Sequence, residues 1–80
     1  MNDILIVDDE RDIRELIGDI LQDEGYSTRL AANSEECMRE VTAEQPGLLI
    51  LDIWLKDSEM DGIDILKKVK SEYPHVPVVI

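Results

Sequence analysis

The stretch ILIVDD, residues 4–9, decides the fold prediction because four aliphatic residues run directly into two aspartates. The stretch LLILD, residues 48–52, repeats this arrangement with one aspartate. Short uninterrupted aliphatic runs are typical of strands that are covered on both faces, as in a parallel sheet. We therefore predict two buried parallel strands, each of which delivers acidic side chains at its carboxyl end.

Helical periodicity dominates the segment after the first strand. Apolar residues between positions 13 and 21 recur at i, i+3, i+4, i+7 and i+8, which places them on one face of a helix. We interpret this stripe as core; it comprises Ile13, Leu16, Ile17, Ile20 and Leu21. Asp9 is the predicted N-cap of this helix, and Gly25 is its predicted C-terminal stop.

Two further helices and two further strands complete the predicted order. The second helix is expected to begin at Asn33 or Ser34, and the third to run from Gly62 to about Tyr73. Their predicted apolar sides are Cys37, Met38 and Val41 in the second helix, and Ile63, Ile65, Leu66 and Val69 in the third. Residues 26–31 and 77–80 read as strands, the former near an edge. The order β-α-β-α-β-α-β predicts an α/β fold with a doubly wound parallel sheet.

Composition excludes several classes of function. The 19 acidic and 8 basic residues give a formal charge of −11, which argues against direct nucleic-acid binding and against docking on anionic membranes. We find no signal-peptide pattern and no apolar run near the ~20 residues of a membrane span, so a cytoplasmic protein is expected. Cys37 is the single cysteine, which rules out an intramolecular disulfide, and we interpret it as a core thiol.

The acids at the strand ends are the main functional signal. Parallel strands end at one edge of a sheet, so Asp8, Asp9 and Asp52 converge there if the first and third strands are neighbours. Such a cluster suits a divalent cation, Mg²⁺ above all, and a carboxylate can also act as the nucleophile that receives a phosphoryl group. Two plainer roles stay open at this point. Asp8 or Asp9 could be only a helix cap, and Asp52 only a loop acid.

Several of these motifs resemble those of one protein family. Residues 4–10 resemble the first strand and acidic pair of response-regulator receiver domains, and residues 49–52 resemble the strand that carries their phosphoacceptor. Asp61-Gly62 is similar to the Asp-Gly that opens their third helix. Within the family, residues 52–55 and the long loop after them look most similar to NtrX-type nitrogen regulators. The resemblance covers the whole chain and implies the flavodoxin-like (CheY-like) receiver fold.

The resemblance also implies a site and a mechanism. Asp52 would accept a phosphoryl group from the phosphohistidine of a sensor histidine kinase. Asp9, Asp52 and the backbone carbonyl of Trp54 would ligate Mg²⁺ directly, and Asp8 would do so through a water. The chain would then be a signalling switch and not an enzyme, and it would control an output domain, with transcriptional regulation as the expected result.

The loop after the acceptor departs from the family pattern. Many receivers have Pro four residues after the acceptor, where this chain has Lys56, and their Asp-Gly comes two residues earlier than Asp61-Gly62. The loop is therefore longer by about two residues, which lie within 56–59. Glu10, Leu55 and Lys56 are expected to border the site. The Trp54 side chain is expected either to gate the pocket or to pack the long loop.

The family pattern also extends beyond this sequence. Receivers have five βα units over about 120 residues. Residues 1–80 are therefore expected to lack about the last third of the domain, including the switch Ser/Thr and the phosphate-binding Lys. Self-association through the exposed sheet edge is expected. Two alternatives are kept: a receiver-like scaffold that is never phosphorylated, and an aspartyl-phosphate phosphatase of the haloacid dehalogenase type. The phosphatase requires an Asp at the position of Trp54.

Overall fold

Strands and helices alternate along the chain in the computed structural model, which describes residues 3–56 and 58–80. The elements are β1 (Asp3–Val7), α1 (Arg11–Asp23), β2 (Ser27–Ala31), α2 (Ser34–Ala43), β3 (Leu48–Leu51), α3 (Gly62–Glu72) and β4 (Val78–Val79). The predicted order of elements is therefore confirmed. In the described part of the chain, no helix combines the length and the apolar character needed to cross a bilayer.

The four strands form one parallel sheet in the order β2-β1-β3-β4. The chain runs from β1 outward to β2 and then returns to the other side of β1, so strand order reverses between β1 and β3. Val7 pairs with Leu51 at the last register position of both strands. The Asp52 N–H extends this pairing by donating to the Val7 carbonyl at 3.0 Å. The doubly wound arrangement predicted from the sequence thus places the two acidic strand ends side by side.

Helices cover both faces of the sheet. Alternate residues of a strand point to opposite faces, so Leu5 and Val7 join the cluster packed by α2 and α3, whereas Ile6 faces Gly18 of α1. The main cluster is aliphatic, as the scarcity of aromatic residues requires. It comprises Leu5, Val7, Ala31, Cys37, Val41, Leu49, Leu51, Leu55, Ile65, Val69 and Val76. Burial raises the pKa of the Cys37 thiol to about 12, which agrees with its prediction as a core residue.

The interpretation of the α1 stripe as core is wrong for three of its members. Ile13, Leu16 and Ile20 are 40%, 56% and 54% exposed. The buried residue of α1 is Gly18, where an added Cβ would lie 3.4 Å from Leu30 Cδ2 of β2. The helix therefore rests on the sheet along a line through Gly18, and the aliphatic residues to one side of that line point outward.

The third helix shows a similar shift of its apolar face. Ile65 and Val69 are fully buried, and Leu66 packs against the core, as predicted. Ile63, however, is 37% exposed. Gly62, the first residue of α3, is buried against the backbone at the end of β3.

Two of the predicted helix ends are confirmed and one is wrong. Gly25 has φ of 95°, and its N–H donates to the Gln22 carbonyl, which is the glycine-dependent stop expected after α1. The Asn33 side chain caps α2 by accepting the Glu36 N–H at 2.9 Å. Asp9 does not cap α1, because the N-cap position is Glu10, which makes no side-chain capping bond.

Arg29 of β2 ties together the amino-terminal end of the sheet. Its guanidinium donates to both Asp3 carboxylate oxygens, at 2.7 and 3.3 Å, and to the Glu40 carboxylate at 3.2 Å. It also donates to the Glu40 and Glu44 carbonyls near the end of α2, each at 2.9 Å. Because the guanidinium contacts all three elements, one side chain joins β1, β2 and α2.

Candidate metal centre

Three carboxylates meet at the carboxyl edge of the sheet. Asp8 and Asp9 follow β1, and Asp52 follows β3. One oxygen from each lies within 4.8 Å of the others, and all three residues are partly exposed. The predicted convergence is confirmed. Two unit charges at this separation repel by on the order of 3 kcal/mol at an effective dielectric constant of 20, which a bound cation would relieve.

Each carboxylate also accepts one backbone N–H, which for Asp8 and Asp52 comes from the residue two positions later and for Asp9 comes from another loop. The pairs are Glu10 to Asp8 at 2.8 Å, Lys56 to Asp9 at 3.2 Å and Trp54 to Asp52 at 3.3 Å. These bonds orient the three carboxylates and occupy one oxygen of each. Because a carboxylate has two oxygens and about four acceptor positions, every acid keeps acceptor capacity for a cation.

The donor set fits Mg²⁺. This ion prefers hard oxygen ligands, uses one or two carboxylates, and keeps several waters. Asp8, Asp9 and Asp52 supply such oxygens from an open, partly hydrated position. Neither Asp8 nor Asp9 caps a helix, so the plainer role considered for them is wrong. The backbone carbonyl of Trp54 stays a predicted ligand.

A cleft of about 410 Å³ opens beside the carboxylates. Its lining residues are Asp9, Glu10, Ala32, Asn33 and Lys56. Glu10 and Lys56 therefore line the cleft beside Asp9, and their part in the site stays a prediction. The cleft mixes acidic, amide and ammonium groups, and it leaves the Asp9 side of the centre accessible from solvent.

The other two predicted loop residues differ in exposure. The Leu55 side chain is 8% exposed and belongs to the core cluster, and its place beside the site stays a prediction. The Trp54 side chain is 78% exposed, which contradicts the interpretation that it packs the long loop. Asp57, another residue of the lengthened loop, lies outside the described residues.

Two supporting contacts were not predicted from the sequence. Arg14 of α1 donates to the Asp8 carbonyl at 2.7 Å and so holds the turn that carries Asp8. Gly62 packs so closely on the end of β3 that an added Cβ would lie 2.2 Å from the Asp52 carbonyl oxygen. The Asp61-Gly62 motif was a detectable signal for the second contact, whereas nothing in the local pattern distinguishes Arg14 from the other charged residues of α1.

Comparison with known proteins gives a consistent set of similarities. The sequence profile of the response regulator receiver domain matches residues 4–80. The nitrogen assimilation regulatory protein NtrX of Azorhizobium caulinodans is 51% identical over 79 residues, which cover 99% of this chain and 17% of that protein. This chain therefore spans about a sixth of the length of that curated relative.

Solved structures give the same picture. The receiver domain of NtrX from Brucella abortus superposes with a TM-score of 0.92 at 44% identity, covering 94% of this chain and 62% of that one. The response regulator TrrA of Thermotoga maritima, solved in complex with Mg²⁺-BeF, superposes with a TM-score of 0.92 at 32% identity, covering 100% and 68%. A complex of histidine kinase ThkA with TrrA matches with a TM-score of 0.88 at 33% identity, covering 98% and 66%.

Proposed function

Because this chain belongs to the response regulator receiver domain family, we propose that it is a phosphorylation-dependent signalling switch whose phosphate acceptor is Asp52. Membership of the family confirms the predicted resemblance, including the likeness to NtrX-type regulators. The observation that carries the choice of acceptor is the position of Asp52 at the end of β3, with an oxygen within 4.8 Å of oxygens of Asp8 and Asp9.

The hydrogen bonds of the three acids leave Asp52 able to act as the nucleophile. The N–H bonds to Asp52 and Asp9, at 3.3 and 3.2 Å, are longer than the bond to Asp8, at 2.8 Å. Asp52 is therefore held more weakly than Asp8, and its position at the end of β3 separates it from Asp9. Its backbone is nevertheless fixed, by the bond to Val7 and by the close approach of Gly62. A weakly engaged carboxylate on a fixed backbone is suited to in-line attack on phosphorus.

Asp9, Asp52 and the Trp54 carbonyl are the proposed direct ligands of Mg²⁺, with Asp8 acting through a water. When bound, the ion would neutralise charge on the phosphoryl oxygens. The protein's own contribution is to hold the acids. Glu10 N–H and Lys56 N–H orient the carboxylates of Asp8 and Asp9, so that these side chains need little rearrangement.

The proposed phosphate donor is the phosphohistidine of a sensor histidine kinase. An Asp52 oxygen would form a bond to phosphorus while the phosphorus–nitrogen bond breaks, and the imidazole would leave. The complex of ThkA with TrrA supports a kinase of this class as partner. Receiver domains are signalling proteins and mostly not enzymes, which supports the role of a switch.

Other partners of the whole protein are proposals of the same kind. Since the chain spans 17% of the NtrX relative, control of an output domain and transcriptional regulation rest on the family alone. A cytoplasmic location stays a prediction from the sequence. Self-association through the edge at β4 also stays a prediction, and sedimentation of the 80-residue protein would test it.

A beryllofluoride titration tests the proposed function. The fluorescence of Trp54, the only tryptophan, should respond to beryllofluoride in the presence of Mg²⁺ and not in its absence. Asp52→Asn should abolish this response, and Asp19→Asn, which changes an exposed acid on α1, should leave it intact. A response that persists in Asp52→Asn would refute Asp52 as acceptor. No response in the unmodified protein would favour the unphosphorylated scaffold.

The phosphatase alternative is disfavoured by a single position. Haloacid dehalogenase-type enzymes resemble this chain in their strand-end Asp and Mg²⁺, but they need a second Asp two residues later. Trp54 stands there, with its side chain 78% exposed. An indole offers no carboxylate to act as a general acid or base, so a signalling switch accounts better for the site.

A further inference from the structure

The loop between β3 and α3, residues 53–61, contacts two of the three acids of the metal centre. Its Trp54 N–H donates to Asp52, and its Lys56 N–H donates to Asp9. Both bonds depend on where the loop backbone lies. Holding such a segment in one geometry costs conformational entropy for every residue, so contacts outside the metal centre must fix the loop.

Two hydrogen bonds join the middle of the loop to the start of α2, and a third lies within the loop. Ser58 Oγ accepts the Ser34 N–H at 2.8 Å and donates to the Met60 carbonyl at 2.7 Å. The Met60 N–H in turn donates to Ser34 Oγ at 3.3 Å. These bonds form a closed ring that we call the serine clasp, consisting of Ser34, Ser58 and the backbone of Met60.

Breaking the clasp costs free energy because its centre is buried. Ser34 is 2% exposed and is the buried polar residue in the described part of the chain. Its N–H belongs to the first turn of α2, where N–H groups have no acceptor within the helix. Ser58 supplies that acceptor. Without the Ser58 hydroxyl the buried Ser34 N–H would have no acceptor, and this cost keeps the loop bound to α2.

We propose that Ser58 is a positioning residue for the metal centre, acting through the serine clasp on the loop backbone. The inference rests on the proposed function, because it concerns the same site. Ser58 follows Lys56 by two residues, so the clasp lies within ~7 Å of chain from the N–H that contacts Asp9. Ser58 also lies within residues 56–59, the stretch that contains the added length of this loop.

Mg²⁺ affinity and amide exchange test the proposal with the 80-residue protein. Ser58→Ala removes both Ser58 bonds and should raise the Mg²⁺ Kd, measured by Trp54 fluorescence, about threefold to tenfold. Ser34→Ala removes only the bond from Met60 and should have a smaller effect. Ser58→Thr keeps the hydroxyl and should restore the affinity. In metal-free protein, Ser58→Ala should also speed hydrogen exchange at Lys56.

Two controls separate positioning from general loss of stability. Ser71→Ala changes an exposed serine of α3 and should leave Kd unchanged. Val41→Ala opens a cavity in the core and should lower stability while leaving Kd unchanged at temperatures where the protein stays folded.

The outcomes distinguish the two proposals. If the unmodified protein binds no Mg²⁺, the proposed function fails and this inference fails with it. If the unmodified protein binds Mg²⁺ and Ser58→Ala binds it equally well, only the positioning role is overturned. An equal loss of affinity in Val41→Ala would also overturn it, because the effect would then follow stability and not the clasp.

Discussion

Replacing Gly62 by alanine should destabilise the protein more than the same replacement at Gly18 or Gly25. The new Cβ would lie 2.2 Å from the Asp52 carbonyl oxygen and 2.6 Å from Ile53 Cα. The nearer contact is about 1.2 Å shorter than the 3.4 Å at which ordinary contact begins. Both obstructing atoms are backbone, so no side chain can rotate away. Overpacking costs ~1–3 kcal/mol, and we expect about 3 kcal/mol here, less any gain in helix propensity.

Urea unfolding followed by circular dichroism measures this effect, with two other glycines as matched controls. Gly18→Ala meets only side-chain atoms, the nearest of which is Leu30 Cδ2 at 3.4 Å, and should be neutral or stabilising by up to ~1 kcal/mol through helix propensity. Gly25→Ala should cost ~1–2 kcal/mol because φ is 95° there. A Gly62→Ala variant as stable as Gly18→Ala would refute the close packing of α3 on β3. Because Asp52 must shift, the variant should also bind Mg²⁺ more weakly.

Two further predictions concern residues away from the metal centre. Arg29→Met should lower the free energy of unfolding by ~2–3 kcal/mol, because it leaves the largely buried Asp3 carboxylate unpaired. Arg11→Met breaks an exposed ion pair and should leave the urea midpoint unchanged. Equal effects of the two substitutions would contradict the role of Arg29. The raised pKa of Cys37 means that the folded protein favours the neutral thiol, whereas the unfolded chain loses the thiol proton near pH 9. The contribution of Cys37 to stability is therefore complete below pH 9 and falls as pH rises toward 12, by up to ~1.4 kcal/mol per pH unit. Cys37→Ala should show a shallower loss of stability over that range, and identical pH profiles would argue against burial of the thiol.

The candidate site was predictable to a large extent because its chemistry lies at the ends of strands. Two aliphatic runs that end in aspartate require only that β1 and β3 be neighbours, and doubly wound connections favour that order. The acids therefore converge as predicted. The Ser34–Ser58 contact was not predictable, because the two residues are far apart in the chain and serines are common in loops and at helix starts alike.

Errors in the prediction came from side chains whose environment depends on neighbouring elements. Periodicity correctly identified α1 as an amphipathic helix. It did not reveal that the helix rests on the sheet through Gly18, which leaves Leu16 more than half exposed. Likewise, Trp54 is a large apolar residue beside a buried strand, yet the loop turns its side chain into solvent and buries Leu55 instead.

Local patterns in the chain were enough to establish the element order, the parallel sheet and the three acids, because strand and helix periodicity and strand-end acids are properties of neighbouring residues. Contacts between distant segments decided the rest. They set the line along which α1 meets the sheet, the fit of Gly62 against Asp52, and the bond from the Lys56 N–H to the Asp9 carboxylate. Such contacts depend on distances of a few tenths of an ångström between elements, and no one-dimensional pattern encodes distances of that kind.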